Sequence, residues 1–216
     1  MMFVLNQSNS IANNYVAGIR DLKKQSNRLV FRANMERLGS LLAYELSKTL
    51  EYTRAKVTTP LGVAEENVLE QQPVLITILR AGIPFYQGVL SVFDEADSGF
   101  IGAYRAPHQK GTEITIEMDY IAIPQIQDKV VILIDPMVAT GNSIVKTVND
   151  LQQYGIPAHI HIISAIAAVE GLENLKQNLT LPYSIWTGAV DEKLNDLYYI
   201  VPGLGDAGDL SFGEKL

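Results

Sequence analysis

Cysteine is missing from the whole 216-residue chain. That excludes a disulfide scaffold, a cysteine metal site and a thiol nucleophile. Charge is scarce as well: Asp, Glu, Lys and Arg make up 19% of residues, and 24 acids against 17 bases leave a net charge of −7. Broad nucleic-acid binding needs Lys and Arg to neutralise phosphates, so this balance argues against it. A phosphorylated small substrate is still allowed, because it needs only a local basic pocket, often helped by Mg²⁺. No apolar run reaches the length of a membrane span, and no basic-then-apolar leader follows Met1. The expectation is a cytoplasmic protein with neither membrane nor nucleic acid as partner. The ATP-loop pattern G-x-x-x-x-G-K-[ST] is also absent, so any phosphate bound here is not the γ-phosphate of a nucleoside triphosphate.

What is present is apolar content of 47%, enough for one α/β domain over residues 1–216 with a full core. The stretch Val130-Val131-Ile132-Leu133-Ile134 is uninterruptedly apolar and mostly β-branched, the mark of a strand buried on both faces of a parallel sheet. Asp135 stands at its carboxyl end, where open α/β sheets bind ligands. Ala139-Thr140-Gly141-Asn142-Ser143 then forms a small polar loop before an amphipathic helix over 143–154, stopped by Gly155. Strand, acid, small-residue loop and helix start make a phosphate cradle. First-turn N–H groups have no helical acceptor, and the helix dipole favours an anion there. Thr140, Asn142 and Ser143 can add donors, and Gly141 allows close approach. An acid beside such a loop suits a ribose 5-phosphate.

A second buried strand, 74–79, runs into Arg80-Ala81-Gly82 and a helix over 85–93. A guanidinium at that strand end suits a pyrophosphate, whose oxygens it can bind two at a time. A third strand, 100–105, also ends in arginine, Arg105. The amino-terminal part reads as helical over 1–56, with a short helix at 11–24 and a long one at 32–54. In the long one, Met35, Leu38, Leu41, Leu42, Leu46 and Leu50 recur at helical spacing. Residues 57–61 read as a short edge strand ended by Pro60. Residues 112–123 alternate as a half-buried strand or hairpin, and further strands are expected at 158–168 and 183–190, with a helix at 171–179 between them. His159 and His161 share a strand face, but no third ligand accompanies them, so no metal site with direct side-chain ligation is expected. Glu117 and Asp119 share a hairpin face and read as solvated rather than as an acid–base pair. His108 and Lys110 read as loop residues.

Asp135-Pro136-Met137-Val138-Ala139-Thr140-Gly141-Asn142-Ser143 resembles the phosphoribosyl pyrophosphate (PRPP) motif of type I phosphoribosyltransferases. Its Asp-Pro-Met form is similar to that of uracil phosphoribosyltransferases. Leu79 to Gly82 resembles their pyrophosphate loop, Tyr104-Arg105 a second pyrophosphate contact, and the tail from Tyr199 to Asp209 their uracil-binding segment. After Arg105 the chain departs from the family, with Ala106-Pro107-His108-Gln109-Lys110 where relatives carry an acidic, polar run. The tail also matches the dinucleotide pattern G-x-G-x-x-G at Gly203, Gly205 and Gly208. It is not set to open a helix inside a βαβ unit, so that reading is rejected.

The resemblance implies a mostly parallel sheet with helices on both faces, a β-arm at about 106–128 and a carboxyl-terminal hood at about 191–216. It implies the reaction of uracil with PRPP to give UMP and pyrophosphate, in pyrimidine salvage, with Mg²⁺ as cofactor. Carried over by position, PRPP is held by Arg80, Arg105, residues 135–143 and Asp206. Uracil is held by Ile200, Gly205, Asp206 and Ala207. Arg80, Arg105, Asp135 and Asp206 carry catalysis, and the chain is expected to form a homodimer or higher homo-oligomer. The alternative is a regulatory protein of the same fold that senses PRPP or UMP without turnover.

Overall fold

The computed structural model describes residues 1–105 and 116–214, with backbone alone at 103–105 and 116–119. Strand β1 (Met2–Val4) leads to helices α1 (Ala12–Arg20), α2 (Leu22–Gln25) and α3 (Arg28–Ser47). Asp21 and Asn27 cap the second and third of these, their side-chain oxygens accepting first-turn N–H groups. A hairpin of β2 (Tyr52–Thr59) and β3 (Gly62–Leu69) follows, then β4 (Val74–Leu79), α4 (Ile83–Leu90), β5 (Ser98–Arg105) and β6 (Ile116–Ala122). The second half holds β7 (Val130–Ile134), β8 (Met137–Val138), α5 (Asn142–Leu151), β9 (His159–Ala168), α6 (Val169–Asn178) and β10 (Tyr183–Asp191). The tail contributes β11 (Lys193–Leu194), β12 (Ile200–Val201) and α7 (Ala207–Phe212).

The main sheet runs in the order β1-β10-β9-β7-β4-β5-β6, with β8 beside β9, and every pairing is parallel except β5 with β6. The alternation of β7 explains why both faces are covered. Ile132 and Ile134 join a core with α1, α3 and α4, whereas Val131 and Leu133 join a second core with α5 and α6. Helices therefore flank both faces, as expected. Among the described residues no helix is long and apolar enough to cross a membrane.

The amino-terminal third differs from the sequence expectation. The long helix starts at Arg28 and stops at Ser47 rather than running over 32–54. Side chains take up its last carbonyls: Ser47 Oγ donates to Tyr44 O, Thr49 Oγ1 to Leu46 O, and Tyr52 Oη to Ser47 O. Beyond them Thr53, Val57, Thr58 and Thr59 favour extended backbone, and the chain becomes a β-ribbon in place of more helix or a single edge strand. The expected β-arm is described only in part. Its described strand, β6, lies antiparallel to β5 at the edge of the main sheet. Residues 106–115, with His108 and Lys110, lie outside the described residues, as do the side chains of Arg105, Glu117 and Asp119.

Candidate active site

After β4 the chain passes through α4 to β5 on one side of the sheet. After β7 it passes through α5, on the opposite face, to β9 on the other side. The loops leaving the adjacent ends of β4 and β7 thus diverge and open a crevice, the topological switch point where such sheets take ligands. A cavity of about 670 Å³ fills it, within the range of small-molecule sites.

The loop after β7 forms one wall. Asp135, Pro136, Met137, Ala139 and Ser143 line the cavity. Met137 N–H donates to Asp135 Oδ1 at 3.2 Å, which turns the chain directly after the strand. Gly141 holds φ +78° and precedes α5. The helical ladder begins with Val145 N–H to Gly141 O at 3.0 Å, so the earlier N–H groups have no helical acceptor; that of Asn142 donates to Thr140 Oγ1 at 3.4 Å. Val138, Thr140, Gly141 and Asn142 do not line the cavity; they form the back of the loop. Asn174 on α6 braces that back. Its Nδ2 donates to Thr140 O and to Asn142 Oδ1, each at 2.7 Å. Gly171 lets α6 lie against the loop: a Cβ there would stand 2.3 Å from Ala139 O. Neither Asn174 nor Gly171 was legible in the sequence, because both act from a separate helix.

The loop after β4 forms the second wall, through Leu79, Arg80 and Ala81. The Leu79–Arg80 peptide is cis. Arg80 does not simply point at the cavity. Its Nη2 donates to Asp209 Oδ1 at 3.1 Å and to Gly213 O at 2.6 Å, tying this loop to the tail, while its buried Nε has no hydrogen-bond partner. Arg105 ends the next strand. The pairing of Leu79 with Gly102 brings the backbone of β5 past the same sheet edge, three residues before Arg105.

The tail closes the cavity with Tyr198, Tyr199, Ile200 and residues 205–208. Gly203 and Gly205 take φ +57° and +97°, and the Val201–Pro202 peptide is cis. Asp206 Oδ1 accepts from Gly208 N at 2.8 Å and Asp209 N at 2.9 Å, capping α7. A short helix does therefore open at the G-x-G-x-x-G match. Among the described residues no βαβ unit surrounds it, because β12 pairs there with β11 alone, antiparallel. Tyr199 opens the segment that carries the resemblance, whereas Tyr198 carried no signal beyond standing next to it.

His159 and His161 sit elsewhere, beside a second cavity of about 490 Å³. His159 Nε2 meets Ser184 Oγ at 2.9 Å, and Trp186 Nε1 donates to His161 Nδ1 at 3.1 Å. Among the described residues no group of three or more His, Asp or Glu could hold a metal.

An acid-led anion loop after one parallel strand, a second loop with an arginine after its neighbour, and a separate segment over the crevice between them define a type I phosphoribosyltransferase. The family model described as uracil phosphoribosyltransferase matches residues 6–214, and the chain belongs to that family. It is 44% identical to the uracil phosphoribosyltransferase of Porphyromonas gingivalis, over 98% of each chain. It is 39% identical to that of Pyrococcus furiosus, over 89% of this chain and 83% of the relative. Among solved structures it is similar to the AQ2163 protein from Aquifex aeolicus, with TM-score 0.86 and 31% identity over 99% of this chain and 98% of that one.

Proposed function

We propose that the chain transfers the ribose 5-phosphate of PRPP to uracil, giving UMP and pyrophosphate in pyrimidine salvage. The observation that carries this is the single cavity bordered at once by the β4 loop, the β7 loop and the tail. The near full-length likeness to uracil phosphoribosyltransferases favours turnover over a regulator that only senses PRPP or UMP.

The chemistry asks little covalent help of the protein. As pyrophosphate departs, the ribose carbon gains oxocarbenium character and a uracil nitrogen attacks it. The first-turn N–H groups of α5 anchor the 5′-phosphate, and Asp135 holds ribose hydroxyls. Binding energy at these distant groups aligns the reacting carbon. Arg80 and Arg105 stabilise charge on the leaving pyrophosphate; the orphaned Nε of Arg80 supports an anion at that wall. Ile200, Gly205 and Ala207 seat uracil, and Asp206 lies between base and PRPP. The donor set suits Mg²⁺ brought in on the substrate: Asp135 and Asp206 border the cavity, and no larger ligand cluster is present among the described residues. Bound there, Mg²⁺ supplies neutralising charge to the pyrophosphate.

A substrate with several phosphate charges does not cross a bilayer unaided, which supports a cytoplasmic setting. The β2–β3 ribbon supports a homo-oligomer, because Val57, Leu61 and Val63 are exposed on it and an isolated two-stranded ribbon is marginal in water. The test combines pure protein, PRPP and Mg²⁺ with each nucleobase in turn. UMP from uracil alone is the expected result, abolished by EDTA. Tight PRPP binding without product, or turnover of a purine instead, would refute it.

A further inference from the structure

The tail owes its shape to two residues outside the cavity. Arg20, the last residue of α1, donates from Nη1 to Asp191 Oδ2 at 2.8 Å and from Nη2 to Asp191 Oδ1 at 2.7 Å. Asp191 is buried at the end of β10, in register with Ala168 of β9, so its carboxylate is fixed to the main sheet. Both members of the pair then take hold of one residue, through the two peptide groups that flank it. Gly203 N–H donates to Asp191 Oδ2 at 2.9 Å, and Gly203 O accepts from Arg20 Nη1 at 3.0 Å.

Gly203 lies between the two tail segments that border the cavity, Ile200 on one side and Gly205 to Ala207 on the other. Its φ of +57° places it in the left-handed region, and a Cβ would stand 2.1 Å from Ile200 O. The bend therefore cannot be held by packing of a side chain at this residue. It is held by its own N–H and C=O, gripped by a planar fork and a carboxylate. A site that reads a base by backbone groups tolerates little displacement, since about 1 Å of misplacement can lower a rate on the order of a hundredfold.

We infer that Arg20 and Asp191 are positioning residues that set the base-recognising tail through Gly203, and so govern use of uracil far more than PRPP binding, in which the tail shares only through Asp206 and the hold of Arg80 on Asp209 and Gly213. This rests on the reading that Ile200 and residues 205–207 seat the base. The phosphate walls come from the β4 and β7 loops, whereas among the described residues the side-chain hydrogen bonds of Arg20 and Asp191 go to each other and to Gly203.

The test measures kcat and the KM of each substrate for Asp191→Asn and Arg20→Lys, with thermal unfolding alongside. Arg20→Lys keeps the charge and loses the fork; Asp191→Asn keeps one acceptor for Gly203 N–H and loses the charge. The expected result is a uracil KM raised on the order of tenfold with PRPP KM within about twofold, in protein that melts as a single transition. Where Asp191→Asn fails to fold, Arg20→Lys carries the test. Unchanged uracil KM, or equal loss for both substrates, would overturn the inference. Ala207→Val separates the two readings. If it raises uracil KM while the Arg20 and Asp191 variants do not, the base site stands and the positioning role falls; if it leaves uracil KM unchanged, the base site falls and the inference with it.

Discussion

Asp206 borders the cavity and at the same time receives two backbone N–H groups at the start of α7. Its two duties separate by substitution. Asp206→Asn keeps a capping oxygen and should leave the thermal midpoint nearly unchanged while lowering turnover on the order of a hundredfold. Asp206→Ala should lower turnover similarly and also cost about 1 kcal/mol of stability through the lost cap. Steady-state kinetics paired with thermal melts distinguish the two. Arg105→Ala should lower turnover on the order of a hundredfold or more, read by steady-state kinetics. At this scale the sequence was legible where a residue's partner is its own neighbour. Asp135 beside a small-residue loop is such a case. The grip of Arg20 on Asp191 joins residues 171 apart, and no local pattern marks it.

Helices α3 and α4 cross where each offers a glycine. A Cβ at Gly39 would stand 2.2 Å from Phe85 O, and one at Gly88 would stand 1.9 Å from Glu36 O. The backbones themselves are the contact surface, and Ser40 Oγ completes it by donating to Gly88 O at 3.0 Å. Gly88→Ala should force the helices apart and lower stability by about 1–3 kcal/mol, read as a lower denaturant midpoint with unchanged slope. Strands β4 and β7 could be read from the sequence because burial on both faces demands nearly continuous apolar runs. The β2–β3 ribbon could not. Its side chains are almost all exposed, so neither face imposes alternation, and the apolar stripe of α3 appeared to continue through Leu50. The Arg80 contact to the tail was equally hidden, since a strand-end arginine looks the same whether it meets an anion or another loop.

For the molecule as a whole, acid sensitivity is set in part by one buried ring. Burial lowers the His161 pKa to about 4, and the adjacent His159, with ring centroids 4.6 Å apart, adds to the effect. The unfolded chain takes up this proton near pH 6.5, before the folded protein does. Stability from the neutral ring is therefore present above about pH 6.5 and is lost as pH falls toward about 4, a difference on the order of 3 kcal/mol. His161→Gln should flatten that part of the curve, measured as denaturant stability between pH 7 and 4 for both proteins. The crevice and its two strand-end loops were legible because switch-point chemistry follows from strand, acid and loop order; their bracing by Asn174 and Gly171 depends on how α6 docks. The walls proposed to meet phosphate follow strands of the main sheet, whereas the wall proposed to meet the base belongs to a segment that comes after β10. On that proposal, choice of nucleobase and capture of the sugar rest on different stretches of chain, coupled where Arg80 holds Asp209 and Gly213.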